Sequence, residues 1–349
     1  MRDEVHTILG AGSCFEGEMD LANALKPILA RGDTIVIGAT TEAEYEAYFA
    51  KDAALSRRFE KVVVEEPKVK DVYPMIKNKV QVLSEFHGVK ISKPMVEYAI
   101  MIANCFAFEK KNPDKTLDLI DRSMVAAYRK GKKSVNKENI LANFGIFFDL
   151  YDGMGEDARK EVAYHEAGHY IVGKTSDRLV NINWLAISIM PAEDYLGVTC
   201  YEYRKDKVPF RNREYYIDLL AFDLGGRVAE KVFREDFTSG AGHDLDDATR
   251  QAFDVITKYG MSIKKEEDRN NIFLNTPDYP MFTEKSANQI NQEVQELIDI
   301  AYKRAEEVIE EHKELLEMIV EALLEKKIMS ETELDVVWQK YLKEKEKKA

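Results

Sequence analysis

The chain has 349 residues, 45% hydrophobic and 32% charged, enough for two or three globular domains with buried cores. Its net charge of −13 argues against a nucleic-acid or anionic-membrane binder, because nothing offsets the phosphate repulsion. No apolar run approaches the ~18–20 residues that cross a bilayer and the N-terminus lacks a signal-peptide core, so the expected setting is cytoplasmic, with no membrane segment.

In chain order, TIVIGAT (Thr34 to Thr40) and KVVVEEP (Lys61 to Pro67) are short β-branched runs that predict strands, with a helical or turn-like stretch between them. From Asp71 to about Asn143 the pattern turns helical: DVYPMIKNKVQVLSEFHG, KPMVEYAIMIANCF and TLDLIDRSMVAAYRKG. The acid- and glycine-containing FDLYDGMGEDA, from Phe148, reads as a linker. A helix follows in EDARKEVAYHEAGHYIVG, then strands in VNINWLAISIMP and YLGVTCYEY, then three further helices. Ser286 with Gln289 predicts a capping box ahead of apolar Ile290, Val294, Leu297, Ala301 and Ala305, and the tail KEKEKKA is expected to fray. There is no internal repeat. The three cysteines, Cys14, Cys105 and Cys200, lie far apart with no paired spacing and read as free thiols.

The stretch HEAGHYIVGKT, His165 to Thr175, satisfies two catalytic patterns at once: H-E-x-x-H and, from Gly168, G-x-x-x-x-G-K-[ST]. Either arises by chance in on the order of one chain in a hundred of this length, so context decides. A P-loop must leave a buried strand and wrap phosphate with small residues. Here EDARKEVAY is helix-forming and HYIV is bulky, so the phosphate reading fails.

In a helix, His165 and His169 stack one turn apart on one face, and Glu166 flanks them as an acceptor for a water proton. Gly168 costs about 1 kcal/mol inside a helix, which implies close packing there, and Gly173 reads as the C-cap. The alternative is an amphipathic helix with two incidental histidines.

A hydrolytic zinc site needs three protein ligands and one open position. Downstream candidates for the third are Glu230, in LGGRVAEKVF, and Asp244, at the glycine-rich helix start TSGAGHD. The helix after it has its own apolar face through Leu245, Ala248, Ala252, Ile256 and Tyr259, closing on Gly260.

HEAGH, LGVT, LGGRVAE and TSGAGHDLDDATRQAFDVITKYGMS, in that order, strongly resemble the FtsH-type zinc peptidases from about Glu156 to Leu342. The resemblance implies one Zn2+ per chain on His165, His169 and Asp244, Glu166 as general base, and Glu230 as part of a packing helix. His243 departs from the amide or similar polar side chain usual in the family before the ligand Asp, and either touches the metal or its water or lies behind the ligands or on the surface. Three N/O ligands would also accept other divalent ions. The strand LGVTCYEY is expected to bind an extended peptide by strand addition.

The segment DEVHTILGAGSCFEGEMDLANALKPILARGDTIVIGATTEAEYEAYFAKDAALSRRFEKVVVEEP, continuing through NPDKTLDLID, closely resembles the first AAA+ module of Clp-type unfoldases and its helical lid. That resemblance implies Asp3 and Glu4 as the end of a Walker B, Thr40 as sensor, and Arg57 and Arg58 as fingers reaching a neighbour's nucleotide. The strand before DEVH is reduced to Met1 and Arg2, and no P-loop precedes it. The expectation is that this chain does not hydrolyse ATP alone, and that ATP enters only if a longer parent chain supplies the P-loop.

The expected fold is therefore α+β, mostly α: residues 1–67 a partial α/β AAA+ core, 68–147 a helical lid, 148–157 a linker, and 158–345 a helix-rich zinc peptidase domain with a small sheet. The expected function is zinc endopeptidase cleavage of unfolded polypeptides by a homo-oligomer, expected as a hexameric ring. A catalytically silent assembly or chaperone-like subunit is the alternative.

Overall fold

The computed structural model describes residues 5, 36–50, 56–106, 110–144, 150–191, 195–204, 207–234, 239–261 and 284–348. Asp3, Glu4 and Cys14 lie outside them. The chain divides into two compact units, Met1–Glu66 and Pro67–Ala349.

In the first unit, Thr41 caps a short helical turn, Glu42–Glu44, in a reciprocal capping box with Glu44, and a π-turn, Tyr45–Phe49, continues it. Of the two predicted strands, the first lies partly outside the described residues and the second is corrected. Of the first, the described residues from Val36 onward contain one isolated bridge, at Gly38. Lys61–Pro67 forms no strand among the described residues, and Val62, Val63 and Val64 are 77%, 58% and 90% exposed. β-branching favours extended backbone, but a strand also needs a partner ladder.

The second unit opens with four helices: α1 (Val69–His87), α2 (Lys93–Phe106), α3 (Asp114–Arg129) and α4 (Lys137–Leu141). Each buries the face its apolar spacing defines: Val72, Ile76 and Val80 on α1, and Ile120, Met124 and Ala127 on α3. α1 ends on Gly88 in the left-handed conformation, φ 65°, where a side chain would be strained. The core continues without a break into the following helices and sheet. Within the predicted linker, residues 150–153 are helical and the Tyr151 ring is buried.

Next come α5 (Glu156–Thr175), β1 (Ile182–Ser188), β2 (Val198–Tyr203), α6 (Arg213–Arg234) and α7 (Gly242–Thr257). They are followed by α8 (Glu284–Glu311), α9 (Lys313–Lys326), β3 (Ile328–Ser330) and α10 (Glu331–Lys348). The fold is thus mostly α with one small antiparallel sheet of order β2-β1-β3. β1 pairs Ile182 with Tyr203 and Ser188 with Val198, with an irregularity between Trp184 and Ala186. Where three helices were expected after β2, the described residues hold five, because α8, α9 and α10 are separate elements.

α5 is buried on nearly every side from Val162 to Gly173, wedged between α6, α9 and the sheet. Gly168 is where α5 and α6 touch: a Cβ there would lie 2.4 Å from the Gly225 carbonyl oxygen. Gly173 is not the C-cap. The helix runs on to Thr175, and a Cβ on Gly173 would stand 2.5 Å from the Trp184 ring, so the glycine makes room for an aromatic.

Two further expectations are corrected. α8 already begins at Glu284, so Ser286 lies inside it, and the Gln289 amide donates to Glu293 instead of closing a box. The tail stays helical to Lys348, as its Lys and Glu residues are good helix formers and Lys345 reaches Glu311 at 3.3 Å. Cys105 on α2 and Cys200 on β2, distant in sequence, are both buried around Ala186 as free thiols. Burial and then the Cys105 neighbour push the Cys200 thiol up.

Candidate metal centre

Close approach of α5 and α6 builds the site. One residue beyond the Gly168–Gly225 contact, Gly226 has no side chain where a Cβ would stand 2.5 Å from His169 Nε2 and 2.7 Å from His165 Nε2. Both imidazoles therefore lie against the bare backbone of α6. α7 starts after the turn Ser239–Ala241, and its first turn brings Asp244 over the same point.

His165 Nε2 and His169 Nε2 are 3.0 Å apart, and Asp244 Oδ2 stands 3.1 Å and 3.5 Å from them. Ligand atoms of these three residues all lie within 4.8 Å of one another. The other ring nitrogens are committed elsewhere: His165 Nδ1–H donates to Glu230 Oε1 at 2.7 Å, and His169 Nδ1–H donates to the Phe222 carbonyl at 2.8 Å. A carbonyl can only accept, so the proton of a neutral His169 sits on Nδ1 and its Nε2 lone pair faces His165.

Two imidazole nitrogens and a carboxylate oxygen thus converge on one point. That set fits a divalent ion of the zinc type, with three ligands and an open side towards the cleft.

The charges of these three groups are set by one another and by burial. Burial pulls the His165 imidazole down, yet the Asp244 and Glu230 carboxylates outweigh it and hold it up to about 10. Burial opposes charge on His169 too, and Asp244 reverses that. Burial works against the Asp244 carboxylate, but the two histidines hold it well below the usual carboxylate range.

Glu166 is 6% exposed, and burial pushes its carboxyl up against the pull of both histidines. The Thr199 hydroxyl on β2 donates to Glu166 Oε2 at 2.7 Å. The centre opens into a cleft of about 860 Å3, whose walls include Glu166, Leu196, Tyr201 and Asp223. Burial pushes the Asp223 carboxyl up to about 7, with His169 opposing and Asp244 and Asp247 adding to the rise.

The structure brings His165, Glu166, His169 and Asp244 together. Glu230 is not among the three converging ligands. It is 2% exposed and acts behind His165. His243 stands at the rim of the cleft with its side chain 84% exposed, 3.5 Å from Asp247, outside the three-residue cluster. Thr199 and Asp223 were not singled out from sequence. Thr199 lay in the quoted LGVT, where a strand pattern says nothing of a hydroxyl's partner. The signal for Asp223 was a lone acid inside the apolar run LLAFDLGG. In the first unit, Thr40 Oγ1 donates to Glu44 at 3.0 Å, and Arg57 and Arg58 are exposed in a turn.

Residues 153–337, just over half of the chain, match the family model of peptidase family M41, and residues 68–143 match that of an AAA lid domain. Among curated proteins, the chain is similar to the chaperone protein ClpB of Dichelobacter nodosus, 46% identical over 121 residues, which is 35% of this chain and 14% of that one. Heat shock protein hsp98 of Neurospora crassa is 43% identical over 132 residues, 38% of this chain and 14% of its own. The chain therefore spans about one-seventh of the length of these relatives. A solved structure, the closed state of Hsp104 with ATPyS and FITC casein, aligns at 30% identity and a TM-score of 0.39, covering 51% of this chain and 31% of that one. At that score it carries no argument about the fold.

Proposed function

The chain belongs to peptidase family M41, and from that premise we propose that it is a zinc endopeptidase that cuts unfolded polypeptides, with one ion held by His165, His169 and Asp244. The FtsH-type peptidase module is joined to a Clp-type AAA+ segment. The observation that carries the reading is the convergence of two Nε2 atoms and Asp244 Oδ2, with both Nδ1 atoms pinned from behind.

A divalent ion there supplies Lewis-acid polarisation of a carbonyl and lowers the pKa of a water. Glu166 takes the proton of the attacking water and passes it to the leaving amine. Thr199 holds that carboxylate in place. Burial raises its basicity above that of an ordinary glutamate, which favours its taking up a proton. β2 is the outer strand of the described sheet and lines the cleft, so its free edge can take an extended peptide as an added strand. Backbone pairing of this kind makes side-chain selection loose.

For the assembly we propose a homo-oligomeric ring, hexameric as the Clp-type resemblance implies. In it Asp3, Glu4 and Thr40 belong to the nucleotide side, and Arg57 and Arg58 reach the neighbouring subunit. The division into lid, residues 68–147, and peptidase, 158–345, belongs to the same proposal. Among the described residues no helix is long and apolar enough to cross a membrane.

The test is elemental analysis joined to casein cleavage, comparing the chain with Glu166→Gln, with and without ATP. The expected result is one zinc per chain in both proteins, ATP-independent cleavage by the unaltered chain, and a rate lower by about 10²–10⁴-fold in the variant. Absence of zinc from both would overturn the ligand assignment. Bound zinc without cleavage would leave a metal site that does not act as a peptidase in this chain.

A further inference from the structure

Past Tyr201, Asp223 and Asp247 the cleft continues into a second cavity of about 540 Å3, and these three residues line both spaces. β2 connects the two. Its alternate residues Thr199, Tyr201 and Tyr203 share one face. Thr199 holds Glu166, Tyr201 packs edge-on against Phe222, and Tyr203 meets Tyr201 with ring centroids 5.6 Å apart. A peptide added along β2, with its scissile bond at Glu166, advances about 3.3 Å per residue. It therefore carries a side chain within two residues of the cut to the mouth of this cavity.

The walls are aromatic. Tyr201 and Tyr203 line it as one ring pair, and Tyr216, stacked on Tyr259 with ring centroids 5.3 Å apart, as another. Asp223 lines the same cavity, and its carboxylate has no hydrogen bond and no ion pair among the described residues. Of the other charges that line the cavity, Asp247 lies 3.4 Å from Arg250 and Asp254 lies 3.2 Å from Lys258, while Arg211 is an exposed lining residue. A carboxylate taken out of water without a donor is costly, and tyrosine faces attract cations.

We propose that this cavity is a substrate subsite for a lysine or arginine side chain, with Asp223 as its ion-pair partner and the tyrosine rings flanking the cation. The proposal rests on the peptidase reading above, and it adds a charge preference to a backbone-directed cleft.

The test uses the zinc-loaded full chain and a set of quenched-fluorescence peptides, each made with lysine or norleucine at one position within two residues of the cut. The expected result is one position at which lysine is preferred by about tenfold in kcat/KM, and a ratio near one in Asp223→Asn. No preference at any position in the unaltered chain overturns the proposal, and that comparison needs no variant to fold. A preference that survives Asp223→Asn also overturns it.

If no peptide is cut, the peptidase reading fails. The subsite is then decided by fluorescence anisotropy, with the same peptides binding to zinc-loaded Glu166→Gln. Tighter binding of the lysine peptide supports the subsite, and equal binding overturns it.

Discussion

His165 and His169 are oriented from behind before any ion arrives, one by Glu230 and the other by the Phe222 carbonyl. Glu230→Gln keeps the volume and an acceptor but loses the charge that raises imidazole basicity. We expect zinc affinity to fall by about tenfold, measured by chelator competition. The raised pKa of His165, about 10 in the metal-free protein, gives a second prediction. Its imidazole is protonated at pH 7, and a metal takes only the neutral form, so loading releases protons and affinity rises with pH towards 10. Calorimetry in two buffers of different ionisation enthalpy checks it, and identical heats would contradict it. The sign for stability is opposite. In the metal-free chain the contribution of this histidine is complete below its ordinary 6.5 and is lost as pH rises through about 10.

Between elements, the contact of α5 with α6 decides whether the site exists. Gly168→Ala gains helix propensity, about 1 kcal/mol, but drives a Cβ into the backbone carbonyl of Gly225. Backbone on both sides cannot yield locally, so we expect a net loss of about 1–3 kcal/mol in a denaturant titration. Gly226→Ala meets imidazole ring atoms instead, which can swing away. Its expected effect is loss of bound zinc with a smaller change in stability, read from elemental analysis beside the same titration. The two glycines thus separate packing of the helices from alignment of the ligands.

Across the second unit, the ligands come from α5 and α7, which are joined only through β1, β2 and α6 in sequence. An ion held by both ties these segments in the native state alone. At a free zinc concentration of 100 times Kd it should stabilise the unit by about 2.7 kcal/mol. For a unit of this size that is roughly 4–5 °C in Tm, lost on chelation and absent in Asp244→Asn. An unchanged Tm would indicate that no such tie forms.

Much of this was legible in the sequence for identifiable reasons. The helical reading of His165 to Thr175 followed from local propensity and spacing, and the structure has one helix there, Glu156–Thr175. The helical pattern likewise marked α1 and α3, apolar spacing marked the buried face of α8, and turn residues placed the start of α7 near Asp244. These features depend on residues within a turn or two of one another, and a sequence displays such neighbours directly.

What tertiary structure alone decided involves partners far apart in the chain. Gly173 looked like a helix end because its neighbour in space, Trp184, lies eleven positions on. Thr199 meets Glu166 across 33 residues and Glu230 meets His165 across 65. Cys105 and Cys200 share one buried cluster although nothing in their spacing pairs them. The valines from Val62 to Val64 favour a strand, yet a strand exists only if another segment offers its ladder. Sequence fixes what each residue can do within its own turn of chain. Which distant donor, ring or carboxylate it meets is set by how the helices and sheet pack.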